Sequence, residues 1–289
     1  MAVPTTVPET HGVTGDDARD QLQRVGVTRL AVNAAHRFQS ADGTSYARAV
    51  GLSSMLAVLP GLIGLTELAA SVGGGSEGLL TEALLDLAPG PAGELLTSGV
   101  RADGPGAALL WGFGGMLLSG TLAMVHLERG ANRIYGVSEH RPAARRFLTA
   151  AALASTAGVV VLLALGVIVA GESTADAVTS LWAVLRWPIA VVLVGAPMTA
   201  IFRFAPNRKQ PHASWLLSGT VVAVALWILV TILLGLAYEN LSTVESTFGP
   251  ILGVIALLVW AYLSGAAVLF GLAFAAELEA ERAGQGQPA

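Results

Sequence analysis

Cysteine is absent from the 289 residues, which excludes disulfides, thiolate nucleophiles and every zinc or iron–sulfur site that needs a thiolate ligand. Charge is scarce as well. Only 12% of residues are Asp, Glu, Lys or Arg, while 54% are hydrophobic and the mean hydropathy is +0.66; soluble domains hold roughly 45–50% apolar residues. A chain this poor in charge belongs in a bilayer. Nor is there an excess of positive charge: 16 basic residues stand against 20 acidic ones, for a formal net charge of −4. The electrostatic footprint of a nucleic-acid binder is therefore missing, and nucleic acid is not an expected partner. Residues 1–40 contain no apolar run behind a basic start, so no cleavable signal peptide is expected and the first membrane span acts as its own insertion signal.

Catalytic signatures are missing too. The five histidines, at 11, 36, 126, 140 and 212, include no H-x-x-x-H pair and no carboxylates arranged around them as a metal shell. His126 and Glu128 come closest, but at i, i+2 they point to different sides of a helix. There is no G-x-S-x-G elbow, Walker A loop or dinucleotide fingerprint. No catalytic residue, metal or cofactor is expected.

What is present is a set of long apolar runs. A helix needs about 20 mostly apolar residues to cross the hydrocarbon layer, and six stretches qualify: Tyr46–Ser71, Ala107–Leu127, Phe147–Ala170, Trp187–Phe204, Ala213–Ala237 and Pro250–Ala276. They lack the period-two alternation of barrel strands, and only helices or closed barrels satisfy their backbone in lipid. The expected fold is all-α, a polytopic bundle of six transmembrane helices. Arginine then sets the orientation. Fourteen of the sixteen basic residues fall before or at the start of the first span, in or at the edge of the second and fourth connections, or after the last span. By the positive-inside rule both termini are cytoplasmic, in an inner or plasma membrane. The arginine-dense run "RGANRIYGVSEHRPAARR" at 129–146 is explained by the same rule. Clustered arginines beside a span also attract anionic headgroups, at about 1 kcal/mol each.

The organisation read from composition is a disordered tail over 1–15, a cytoplasmic amphipathic region over 16–45, a membrane domain over 46–279 and a second disordered tail over 280–289. Leu22, Val25, Leu30 and Ala34 are available to dock the amphipathic region. An outer-face segment over 72–106 includes "SEGLLTEALLDLA", Ser76–Ala88, which reads as an amphipathic surface helix stopped by "APGPAG". Polar groups near the interfaces supply the candidate ligand contacts: Arg133, Arg141, Arg186, Arg203, Asn207 and Arg208. For each of them the bland role is anchoring at the interface, and the functional one is holding a phosphate or carboxylate.

Four stretches then carry a resemblance: "NRIYGVSEHRP" at 132–142, "LRWPIAVVLV" at 185–194, "RFAPNRKQPHASWLLSG" at 203–219 and "FGPILGVIALLVWAYLSGAAVLFGLAFAAELE" at 248–279. In order and spacing the chain resembles the YihY/BrkB family of inner-membrane proteins, once labelled ribonuclease BN-like, over about Arg37 to Glu279. The resemblance implies six spans with both ends inside, a role in envelope integrity, and movement or binding of a lipid or other anionic amphiphile, with membrane lipids as partners and a homo-oligomer open. Two departures stand out. Leu52 and Ser53 precede Pro60 where family members carry an aromatic pair. The G-A-E-x-N-A-like end of the last span is matched from Gly271, which puts Ala275 at the asparagine place and leaves no carboxylate. Rival readings are a scaffold for partner proteins and a membrane-tethered nuclease using His126, His140 and His212. Reporter fusions after Ala88 and after His140 test the topology: they are expected to report opposite compartments, and the same compartment for both would undo it.

Overall fold

The computed structural model describes residues 6–9, 15–72, 105–138, 141–172, 189, 193, 195–211, 213–240 and 242–284. All regular structure among them is helical. The named helices are α1 (Gly15–Val25), α2 (Val27–Ser40), α3 (Gly43–Val72), α4 (Pro105–Tyr135), α5 (Ala143–Glu172), α6 (Ala213–Asn240) and α7 (Ser242–Arg282). A further helical stretch covers 195–204. The outer-face segment read at 72–106 lies almost wholly outside the described residues, as do the Arg186 region and His140 and His212.

Among the described residues, four helical stretches are long and apolar enough to cross a membrane: Gly43–Leu65, Leu109–Tyr135, Trp215–Ala237 and Val254–Arg282. No more than 28% of the best apolar window in any of them is buried within the protein, so most of their aliphatic side chains face outward. Leu110, Trp111, Leu118, Leu148, Val221 and Leu233 are all exposed. So large an apolar surface is tolerable only in contact with lipid.

Lipid tails are as apolar as leucine, so helix association relies on close packing rather than on escape from water. Small residues make that possible here. The most extensive packing joins α3 to α4, where a Cβ on Gly112 would fall on the backbone of Gly64, and one on Gly115 would lie 2.9 Å from the Pro60 ring. α6 and α7 meet in the same way: a Cβ on Gly271 would sit 2.6 Å from both the Ala223 Cβ and the Gly219 carbonyl oxygen. Polar side chains add interhelical bonds. The hydroxyls of Thr199 and Thr220 are 3.2 Å apart, and Trp260 Nε1 donates to Thr231 Oγ1 at 3.1 Å.

The amphipathic region read over 16–45 is two helices, because Gly26, at φ +85°, breaks it; L residues other than glycine rarely adopt that conformation. Along α2 the residues Leu30, Asn33, Ala34 and Arg37 are buried, an i, i+3, i+4, i+7 stripe facing the bundle. The docking expected of Leu22, Val25, Leu30 and Ala34 is observed, with Leu30 and Ala34 in the core and Leu22 and Val25 against it. Residues 6–9 and the end of α7 make contacts within the fold. Residues 6–9 are docked, with Val7 buried and its N–H donating to the Tyr135 carbonyl at 3.1 Å. α7 runs on through Arg282, with Leu278 and Ala280 buried, because the polar residues that end the apolar run find partners inside the fold.

Gly271→Ala should therefore destabilise the protein, by about 1–3 kcal/mol for overpacking. Gly235→Ala, which meets nothing within 4 Å, should be neutral or slightly stabilising. Thermal unfolding of both variants in detergent reads the contrast, and equal midpoints would remove the close contact from the account.

Candidate functional site

Helix ends converge on one end of the bundle: the starts of α3, α5 and α6, and the finishes of α4, α7 and the 195–204 stretch. Most of the described arginines lie here. They divide into two sets with different chemistry.

The inner set is paired. Arg37 and Glu277 are both fully buried; Arg37 Nε donates to Glu277 Oε2 at 2.6 Å, and Arg37 Nη1 donates to the Ile134 carbonyl at 3.1 Å. That carbonyl belongs to the last turn of α4, where helix acceptors lack partners and a cation also meets the favourable end of the dipole. One turn along, Asn33 Nδ2 donates to Glu281 Oε1 at 3.3 Å. The pairs 33 with 281 and 37 with 277 advance in opposite senses, so α2 lies antiparallel to the end of α7.

A second pair joins the 205–211 segment to the same helix. Arg208 Nη2 donates to Glu279 Oε1 at 2.7 Å, with both side chains buried. Its guanidinium carbon stands 4.7 Å from the centroid of the Tyr135 ring, a cation–π distance. The third cluster lies on α4. Glu128 is buried and faces Arg141 at 3.4 Å and Arg146 at 4.0 Å. Arg141 also donates to the carbonyls of Phe204 (2.9 Å), Pro206 (3.2 Å) and Ala205 (3.3 Å). Those carbonyls are free because Pro206 contributes no amide hydrogen and disfavours helix at the residue before it. Asn132 Oδ1 completes the join by accepting from the Asn207 N–H at 2.7 Å.

The outer set is exposed. Arg129, Arg133, Arg145 and Arg203 open onto the surface around the same end, Arg203 with its guanidinium 5.9 Å from the Phe204 ring centroid. The six residues singled out from the sequence thus fall into three places. Arg141 and Arg208 are held by carboxylates inside, with Asn207 tied beside them through its backbone. Arg133 and Arg203 are on the rim. Arg186 lies outside the described residues.

Sequence reasoning did not single out Arg37, Asn132, Glu277 or Glu279, and weighed Glu128 only beside His126. The signal for Arg37 was present, since the helical stripe through Leu30 and Ala34 puts Asn33 and Arg37 on the inward face. The carboxylates Glu277 and Glu279 directly follow the last apolar run and read in the sequence only as its polar margin. Among the described residues no group of three or more His, Asp or Glu is placed to hold a metal ion.

A family model described as Virulence factor BrkB matches residues 34–289. Similar proteins include a ribonuclease-like protein, YfkH, of Bacillus subtilis (strain 168), 28% identical over 176 residues, which covers 57% of this chain and 64% of that protein. A UPF0761 membrane protein of Rhodospirillum centenum (strain ATCC 51521 / SW) is 29% identical over 300 residues, covering 94% of this chain and 64% of its own length. Another, of Aromatoleum aromaticum, is 28% identical over 260 residues, with 84% and 61% covered. The chain spans 61 to 64% of the length of these relatives. No solved structure matches it.

Removing one partner of a fully buried ion pair leaves an uncompensated charge, at a cost of about 3–5 kcal/mol, whereas an apolar pair of similar volume is often tolerated. Arg37→Ala and Glu277→Ala should each lower the unfolding midpoint in detergent sharply, and the double variant Arg37→Met with Glu277→Leu should recover most of the loss. Single variants that unfold like the unsubstituted protein would show that the pair does not hold α2 to α7.

Proposed function

Because the chain belongs to the family described as Virulence factor BrkB, whose UPF0761 relatives are named as membrane proteins, we propose that it is a non-enzymatic protein of the inner membrane that contributes to envelope integrity by binding or moving an anionic amphiphile. In this reading the chain crosses the bilayer six times with both termini in the cytoplasm. Four helical stretches suited to crossing, the α5 helix, and the 195–204 stretch are consistent with six passes, and the arginine count favours the cytoplasm for the end where they converge.

One observation carries the ligand class: arginines at that end are split between an inner set neutralised by Glu128, Glu277 and Glu279 and a rim set, Arg129, Arg133, Arg145 and Arg203, exposed beside outward-facing aliphatic side chains. A rim of cations against an apolar wall suits a molecule with an anionic head and hydrocarbon tails. Arg133 and Arg203 are the proposed headgroup contacts. Arg141 and Arg208 hold the protein parts together and shape the surface between them, and Arg186 is the proposed contact at the opposite face.

The test is mass spectrometry of lipid retained after extraction in mild detergent. Exchanging both Arg133 and Arg203 for alanine should remove about 2 kcal/mol of headgroup attraction, a fall of roughly thirtyfold in affinity for anionic lipid. Unchanged lipid content together with unchanged envelope sensitivity would sink the reading. RNA cleavage above a mock preparation, lost when His126, His140 and His212 become alanine, would instead favour a nuclease.

A further inference from the structure

Residues 6–9 make contacts that a bound anion would make. Arg208 Nη2, already holding Glu279, gives a second hydrogen bond to the Pro8 carbonyl at 3.0 Å. The next residue, Lys209, donates its backbone N–H to Glu9 Oε1 at 3.0 Å. Two acceptors, one a full carboxylate, therefore sit on two adjacent donors. The segment is fastened upstream by Val7, whose side chain is buried and whose N–H reaches the Tyr135 carbonyl at 3.1 Å, and by Thr6 Oγ1, which donates to the Gly136 carbonyl at 3.3 Å. Gly136 is at φ +68°, and a Cβ there would come within 2.8 Å of Thr6 Cα, so the strap lies this close to the turn after α4 because residue 136 has no side chain.

The donors exceed what the strap uses. Arg208 has a side chain only 3% exposed, yet its Nε and Nη1 have no hydrogen-bond partner. A carbonyl and one carboxylate oxygen cannot saturate the five N–H donors of a guanidinium, whereas the three oxygens of a phosphate group offer further acceptors. We propose that Arg208 and the Lys209 amide form a phosphate site occupied here by the chain's own Pro8 carbonyl and Glu9 carboxylate, and that a phosphate-bearing ligand binds by displacing residues 6–9. The inference rests on the anionic-amphiphile reading and deepens it: the rim arginines gather the headgroup, and the strap decides access to the inner donors. The shared chemistry is a phosphate ester, free or on a lipid.

Because the chain has no cysteine, Val7→Cys gives it a single thiol of similar volume at the buried anchor. The rate of maleimide labelling in detergent reports strap release. Inorganic phosphate, glycerol phosphate and dioctanoyl phosphatidylglycerol are the probes. At least one is expected to speed labelling about threefold or more; acceleration by the lipid alone identifies a headgroup carrying its chains, and acceleration by all three identifies a site for phosphate itself. Adding Glu9→Gln to the Val7→Cys chain should raise the rate about threefold with no probe present. A thiol at the buried α7 position, Ala273→Cys, should stay slow throughout. The proposal is overturned if no probe accelerates labelling, if Glu9→Gln leaves the basal rate unchanged, or if Ala273→Cys speeds up in parallel, which would mean general loosening. Retention of anionic lipid that still depends on Arg133 and Arg203 would, in those cases, leave the broader reading standing; loss of that retention as well would remove both.

Discussion

A guanidinium can enter a low-dielectric interior only if a carboxylate goes with it, since the desolvation of an unpaired charge costs several kcal/mol. The arginine-rich end of this protein is organised around that requirement. Glu277 and Glu279 lie at the end of α7, two residues apart, and so project to different sides of the helix. One takes Arg37 from α2 and the other takes Arg208 from the 205–211 segment. Glu128, on α4, does the same for Arg141 and for Arg146 of α5. Arg37 and Arg141 have donors left over, and these go to the carbonyls that helix ends leave without partners: Ile134 at the finish of α4, and residues 204–206 where Pro206 stops a helix. Charge pairing and helix capping are thus done by the same side chains.

The rest of the bundle depends on a different economy. Where lipid surrounds the helices, burial of apolar surface gives little preference for one arrangement over another, and contact distance decides. Gly64 with Gly112, and Gly219 with Gly271, bring backbones together where any larger residue would hold them apart. The polar end supplies directional bonds and the apolar shaft supplies close packing. Together they leave a surface whose wall suits hydrocarbon and whose rim carries positive charge. The proposed ligand, with an anionic head and oily tails, is the complement of that surface.

Much of this was legible in the residues. Long apolar runs bounded by arginine identified helices and a membrane, and four of those runs correspond to helical stretches suited to crossing. The stripe through Leu30, Asn33, Ala34 and Arg37 marked the inward face of α2. Other parts were not legible, for physical reasons. Composition marks the first residues as a disordered tail because proline, threonine and glycine do not build a core of their own; Val7 nevertheless docks, because the end of α4 offers a ready-made carbonyl and an apolar niche. The carboxylates at 277 and 279 look like the polar margin of a span, since a sequence window sees only that hydropathy falls there.

The sequence by itself determined the solvent and the secondary structure: a chain with so few charges and such long aliphatic runs can satisfy its backbone in lipid only as helices. Tertiary structure alone decided which arginines are neutralised by a carboxylate inside the protein and which stand open on the rim. Arg208 and Arg203 are five residues apart and chemically identical, yet one is buried against Glu279 and the other is exposed. The difference depends on a carboxylate some seventy positions away, and proximity of that kind arises only when the helices pack.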